Sequence, residues 1–255
     1  MKRPDCVVVS CEHGGNRVPP AYAPLFSGHA ALLGSHRGWD PGALPLARQL
    51  ARAFAAPLFA ATTTRLLIDL NRSIGHRELY SELTRGLPRA ERQAIAERHY
   101  RPHRDAVEGE IAHRIHTGQR VIHIASHSFT AVLHGVVRAD VAWLYDPQRA
   151  GELALARRWQ AALAQRAPGL SLRRNHPYQG RSDGLTTLLR KRFDAQAYVG
   201  IELEVNQRFV ATGASAWAAL RSDLVAALRT ALADKSPDAG APFTSAPPAL
   251  RPPTP

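Results

Sequence analysis

The chain has two cysteines, one methionine and, among its 33 basic residues, only three lysines in 255 positions. Cys6 and Cys11 are too few for a disulfide framework, and no second pair exists for a thiolate zinc site, so both read as ordinary reduced thiols. No apolar run approaches the ~20 residues needed to span a bilayer. The opening Met-Lys-Arg-Pro-Asp runs straight into a short strand instead of a signal-peptide core. A soluble, cytoplasmic protein with no membrane partner is expected. Acidic residues are also scarce: 21 Asp and Glu leave a net charge of +12, with a pI near 10.7. Such a surplus invites a nucleic-acid reading, but the basic residues are spread along the chain and the only lysines are Lys2, Lys191 and Lys235. An arginine bias beside abundant alanine is better explained by GC-rich coding. No helix-turn-helix, zinc-finger or aromatic RNA-binding signature accompanies the charge. No nucleic-acid partner is expected, and the positive field suits a small anionic substrate steered into a cleft.

With 45% hydrophobic residues the chain can bury one sizeable core. One domain is expected over residues 1–235, followed by a Pro/Ala-rich, disordered tail at 236–255. Apolar runs at 6–10, 57–64, 121–125, 136–144 and 198–201 read as strands. Residues 88–116, 149–167 and 214–233 read as helices. Another helix is expected to open at Asp40-Pro41, with Leu44, Ala47, Leu50, Ala51 and Phe54 on its apolar face. Residues 14–38 read as a long loop and 175–184 as a polar one. This alternation predicts an α/β fold, a three-layer α/β/α sandwich around a central sheet.

Residues of catalytic type sit just past the ends of apolar runs. Cys11-Glu12-His13-Gly14-Gly15-Asn16 follows the first strand, Ser126-His127-Ser128 a later one, and Glu202-Leu203-Glu204 the Tyr198 run. The carboxyl ends of strands in an α/β sheet share one crevice, so these residues can converge. A lone loop histidine is more often satisfied by a backbone carbonyl. Two histidines at strand ends suit a hydrolytic zinc site, which needs a third protein ligand and an open position for water. Glu12, His36, Asp40 and Glu204 are the candidates by position. Glu202 and Glu204, two apart on a strand, face the same side; one of them beside a metal could serve as general base. Arg65, Asp69, Asn71 and Arg72 form a further cluster, either a solvated charged loop or a planar fork for a substrate carboxylate.

Five ordered motifs within residues 6–212 resemble the N-formylglutamate amidohydrolase family. They are Cys11-Glu12-His13-Gly14-Gly15-Asn16-Arg17-Val18-Pro19, Ser35-His36-Arg37-Gly38-Trp39-Asp40-Pro41-Gly42-Ala43, Thr64-Arg65-Leu66-Leu67-Ile68-Asp69-Leu70-Asn71-Arg72, Ser126-His127-Ser128-Phe129 and Ile201-Glu202-Leu203-Glu204-Val205-Asn206-Gln207. The resemblance implies a zinc hydrolase of the carboxypeptidase and aspartoacylase superfamily, with a mixed central sheet in a phosphorylase/hydrolase-like fold. It implies His13 and His127 as metal ligands. Asn16 stands where the superfamily carries a glutamate ligand, and Asp40 is inferred to replace it, with Glu12 as competitor or as an outer partner of a ligand. His36, Asp69 and Ser128 are alternative ligands or outer partners. Glu204 is the expected base and Glu202 the runner-up. Arg65, Asn71 and Arg72 are expected to hold the substrate, together with Tyr178 from the Asn175-His176-Pro177-Tyr178-Gln179-Gly180 loop. Arg101-Pro102-His103-Arg104 departs from the Pro-Tyr-His of relatives, which speaks against a role for His103. The implied reaction is hydrolysis of an N-formyl or other N-acyl amino acid by one bound Zn2+, releasing the carboxylate and the free amino acid. A zinc carboxypeptidase or other deacylase, and a non-enzymatic basic protein that binds polyanions, are the alternatives.

Overall fold

A computed structural model describes residues 3–133 and 135–234; the expected tail at 236–255 lies outside the described residues. Eight strands, β1 (Asp5–Cys11), β2 (Leu58–Ala60), β3 (Arg120–Phe129), β4 (Val132–Leu133), β5 (Val136–Val137), β6 (Val141–Leu144), β7 (Leu172–Arg174) and β8 (Tyr198–Asn206), alternate with helices. The helices are α1 (Ala30–Gly34), α2 (Ala43–Ala53), α3 (Arg89–Ile95), α4 (Arg101–His116), α5 (Ala150–Arg166), α6 (Leu185–Arg192), α7 (Arg208–Thr212) and α8 (Ala214–Ala233). Six strands form one sheet in the order β2-β1-β3-β8-β6-β7, while β4 and β5 make a small antiparallel hairpin. Strands β2, β1, β3 and β8 run parallel, and β6 with β7 runs opposite to them. The sheet is therefore mixed, as expected. Among the described residues, no helix is long and apolar enough to cross a membrane.

Parallel strands covered on both faces need nearly continuous apolar sequence. The Val7-Val8-Val9 run of β1 and the Val121-Ile122 start of β3 meet that need. Alternate residues then divide between two helical layers. Val9, Ile122, Ile124, Ile201 and Leu203 face α2, α5 and α8. Leu46, Ala47 and Leu50 recur on one face of α2 and are fully buried there. Truncating a residue such as Leu50 to alanine costs roughly 2–5 kcal/mol. Val8, Val121 and Tyr198 face the opposite layer, where Val107 and Ile111 of α4 and Leu185 and Leu189 of α6 meet them. These are the three layers expected from the alternation.

Several local expectations are corrected. Residues 14–38 are not one irregular loop: they hold a 3-10 helix (Pro20–Phe26) and α1, and Tyr22 and Phe26 are buried with Leu66, Leu67 and Ile68 in a separate apolar cluster. Helix α2 begins at Ala43, not at Asp40-Pro41, and its cap is Gly42 in a left-handed conformation, φ 87°. The Asp40 carboxylate is turned inward to two histidines and is not free to cap. The strand expected at 57–64 is confined to β2, with Thr63 making one isolated bridge to Arg17. Strands β3 and β8 run on through His127 and Glu204, because both side chains find buried polar or charged neighbours.

In the sheet order, the chain leaves β1 toward β2 on one side and returns to β3 on the other. The carboxyl ends of β1 and β3 therefore flank a topological switch point, where α/β sheets open a crevice.

Candidate active site

His13 lies two residues beyond β1, in a turn whose two glycines are required by close approach. A Cβ on Gly14 would stand 2.9 Å from the Ala61 carbonyl oxygen, and one on Gly15 2.8 Å from that of Thr62. The turn is thereby pressed against the segment that follows β2. His127 lies near the end of β3, and the parallel ladder pairs it with Glu204 of β8. Asp40 is brought in by the segment between α1 and α2, with its amide bonded to the His13 carbonyl at 2.9 Å.

These three residues present their donors to one point. Asp40 Oδ2 lies 3.4 Å from His13 Nδ1 and 2.9 Å from His127 Nδ1. Ligand atoms of the three residues all fall within 4.8 Å of one another, and all three side chains are buried. Tetrahedral zinc with bonds of about 2.0–2.1 Å spaces its ligand atoms about 3.3 Å apart, so the donor set fits the ion. The opposite edge of each imidazole meets a carboxylate: His13 Nε2 lies 2.7 Å from Asp69 Oδ1, and His127 Nε2 lies 3.1 Å from Glu12 Oε2. The Asp69 hydrogen bond fixes the His13 tautomer that leaves Nδ1 as the ligating atom, while Glu12 sets a negative charge behind His127 at ion-pair distance, neither facing atom being placed for a hydrogen bond.

Charge agrees with that donor set. Burial opposes ionisation of Glu12, Asp40 and Asp69, yet their cationic neighbours hold all three below the usual carboxylate range. His13 is raised above its ordinary value because Asp69 and Asp40 outweigh burial and Arg65. His127 is raised well above it, since Asp40 and Glu12 outweigh burial.

The remaining expected residues divide by what they touch. Arg65 is committed to protein carboxylates, donating Nε and Nη2 to Asp69 Oδ2 at 3.1 and 2.7 Å and Nη1 to Asp40 Oδ1 at 3.3 Å. Its fork is thus filled, and it braces the donor set instead of offering a free face to substrate. Arg72 donates Nη1 to the Asp183 carbonyl, and its Nε is buried without a hydrogen-bond partner. The Asp69–Arg72 segment is pinned from outside, where Tyr100 donates to the Arg72 carbonyl and Arg104 to the Leu70 carbonyl. Asn71 accepts the Leu185 amide through Oδ1 at the start of α6. Ser128 donates to the Pro41 carbonyl, and its own amide points at Asp40 Oδ2 from 3.4 Å.

The two glutamates of β8 differ. Glu202 Oε1 accepts a 2.6 Å hydrogen bond from Thr186 Oγ1, whereas Glu204 Oε2 is buried without any hydrogen-bond partner. Burial pushes the Glu204 carboxyl up to about 7, with His127 opposing the rise and Asp40 and Glu202 adding to it. Both line a cavity of about 290 Å³ together with His13, Asp40, His127, Arg72 and Tyr178. His36 lines the same cavity, outside the cluster of donors. Asn16 does not join: its amide donates to the Leu33 carbonyl at 3.0 Å, on the exposed side of the turn.

The sequence profile of N-formylglutamate amidohydrolases matches residues 5–211. The chain belongs to the N-formylglutamate amidohydrolase family. Two solved structures are similar to it. The gene product Atu2144 from Agrobacterium tumefaciens is 32% identical over 89% of this chain and 90% of its own, with a TM-score of 0.76. The N-formylglutamate amidohydrolase from Ralstonia eutropha JMP134 is 21% identical over 91% of this chain and 94% of its own, with a TM-score of 0.66, and shares the fold. A search of curated proteins finds no match.

For this family member, three contributors escaped the reading of the sequence. His103 of α4 approaches Glu12 Oε1 at 3.3 Å through Nε2 and so backs the carboxylate behind His127, contrary to the expectation that it has no role. The spacing of α4 carries no sign of this, since the contact crosses 91 residues. Thr186 fixes Glu202. Arg138, just after β5, enters the same cavity; no motif marks it.

Proposed function

We propose that this family member is a zinc-dependent amidohydrolase that cleaves an N-formyl amino acid, with N-formylglutamate the first substrate to test. The observation that carries the reading is the double backing of the donor set. Two histidines turn Nδ1 to Asp40 and set Nε2 against a carboxylate each, hydrogen-bonded for His13 and at ion-pair distance for His127, beside Glu204, whose Oε2 has no hydrogen-bond partner and lines the cavity. Zinc held by His13, Asp40 and His127 would act as a Lewis acid and lower the pKa of water to about 7.

Glu204 supplies the base. Its free Oε2 accepts a proton from the attacking water and later delivers it to the departing amino nitrogen, so one carboxylate serves both halves of the cleavage. Glu202, bonded to Thr186, holds the cavity wall. Arg65 keeps Asp69 and Asp40 ionised and aligned. Arg72 and Asn71, anchored to the ends of the Asp183-Gly184-Leu185 segment, hold the α-carboxylate of the substrate. A polyanion-binding protein would give no reason for burying two histidines and three carboxylates at one point.

Formate release from a panel of N-formyl, N-acetyl and peptide substrates by the zinc-loaded protein tests this reading. Formate from N-formyl amino acids is the expected result. Exclusive cleavage of peptides would make it a carboxypeptidase, and no turnover of any amide would overturn the reading.

A further inference from the structure

Arg138 is 7% exposed, and no described carboxylate forms an ion pair with it. Its guanidinium lies over the Phe129 ring at 5.4 Å and over the Tyr178 ring at 5.0 Å, and Nη2 donates to Tyr178 Oη at 2.8 Å. Phe129, Tyr178 and Arg138 itself line the cavity that contains His13, Asp40 and His127; Arg138 also borders a second cavity beside Asp140 and Arg208, but its guanidinium is held by the two rings of the first. Apart from Glu204, whose Oε2 has no hydrogen-bond partner and which forms no ion pair with Arg138, the acids nearest in the chain or in the cavity are already engaged. Asp140 takes Arg208 and the Ser171 amide, Asp183 takes Ser73, and Glu202 takes Thr186. A buried cation without a counter-ion is costly, and the cost is removed by an anion that brings its own charge. Two aromatic faces hold the guanidinium plane in place, and a planar fork with free donors matches a carboxylate in two parallel hydrogen bonds.

We infer that Arg138 reads the side chain of the substrate by binding the distal carboxylate of an N-acyl dicarboxylic amino acid. The inference rests on the hydrolase reading above for the acyl group, but not for the dicarboxylate. Arg72 and Arg138 line one cavity from different elements, Arg72 following β2 and Arg138 following the β4–β5 hairpin. One cavity with two arginines not committed to a buried acid suits a ligand with two carboxylates. Arg138 comes from the hairpin side and Arg72 from the Asp69–Arg72 segment, so the two can each take one carboxylate of the same ligand.

The test compares N-formylglutamate with N-formylglutamine in the zinc-loaded protein, wild type and Arg138→Gln. Wild type is expected to favour the acid. Arg138→Gln is expected to lose about a hundredfold in kcat/KM on the acid, the scale of a charge-assisted hydrogen-bonded pair, and under about threefold on the amide. Equal losses on both substrates would assign Arg138 to the α-carboxylate and overturn the inference, as would no loss on either. Binding of glutarate against butyrate, measured by calorimetry, reads the same residue without turnover. A glutarate preference that disappears in Arg138→Gln supports the inference even if no amide is cleaved, in which case only the hydrolase reading fails. Should Arg138→Gln not fold, Tyr178→Phe, at an exposed residue, removes the hydroxyl that orients the guanidinium. It is expected to weaken the acid and glutarate selectively by about three- to tenfold, and unchanged selectivity there would overturn the inference.

Discussion

His13 and Asp69 are joined at 2.7 Å, from Nε2 to Oδ1, on the ring edge opposite the one that meets Asp40. Asp69 is thereby linked to the donor set without being part of it, and its second oxygen holds Arg65, whose remaining nitrogen reaches Asp40. One carboxylate thus orients both a histidine donor and, through arginine, the aspartate donor.

Asp69→Asn should therefore weaken zinc binding by about 10- to 100-fold, the usual cost of losing a carboxylate behind a ligating histidine. Glu12→Gln, behind His127, should do the same. Competition with a chelator of known affinity measures both, and wild-type zinc affinity in either variant would show that the backing carboxylates are dispensable.

Asn16→Ala should leave zinc affinity and turnover unchanged within twofold. Its side chain bonds to the Leu33 carbonyl and faces away from the donor set, so the variant should lose only about 0.5–1.5 kcal/mol of stability from one hydrogen bond. A large loss of metal would return Asn16 to the ligand position that the family comparison suggested.

Glu204→Gln should retain zinc and lose about 10²- to 10⁴-fold in kcat, the span expected of a general base. Glu202→Gln keeps an acceptor for Thr186 and should lose under tenfold. The reverse order in single-turnover kinetics would exchange the two roles.

His123 provides a test by pH. It is fully buried between Ser10 Oγ and Tyr198 Oη, each at 2.8 Å. Burial lowers it to about 4, with Glu12 raising it and Arg190, His103 and His127 adding to the fall. The unfolded chain gains a proton below about 6.5 that the folded chain refuses until about 4. Stability should fall as pH drops through that window, by at most about 1.4 kcal/mol per pH unit from this group, and be unaffected by it at higher pH. Urea unfolding at pH 7.5 and 5.5 should show a shallower loss in His123→Gln than in wild type. Parallel profiles would mean that His123 accepts its proton when folded.

What could be read from the sequence follows physical range. Val7-Val8-Val9 and the Leu46, Ala47, Leu50 spacing are local patterns, and they place β1 and the buried face of α2. His13, His127 and Glu204 stand out in the sequence because each adjoins an apolar run. Asp40 is a candidate by position and the family motif singles it out, but the helix expected to open there starts at Ala43, with the Asp40 carboxylate turned to the histidines. Contacts set by register or by long loops left no local trace. The β3–β8 ladder that sets His127 beside Glu204 joins segments 77 residues apart. Arg65 read as a substrate clamp because nothing in a linear motif shows that Asp69 and Asp40 occupy its fork. Arg138 depends on two rings, one before and one well after it in the chain.

The decisive measurement is zinc content by elemental analysis, paired with formate release from N-formylglutamate, for wild type and Asp40→Ala. Wild type should hold one zinc per chain and release formate, chelation should abolish release and added zinc restore it, and Asp40→Ala should lose both metal and turnover. Formate release that persists in metal-stripped protein, or an Asp40→Ala variant that keeps zinc and full activity, would contradict the assignment.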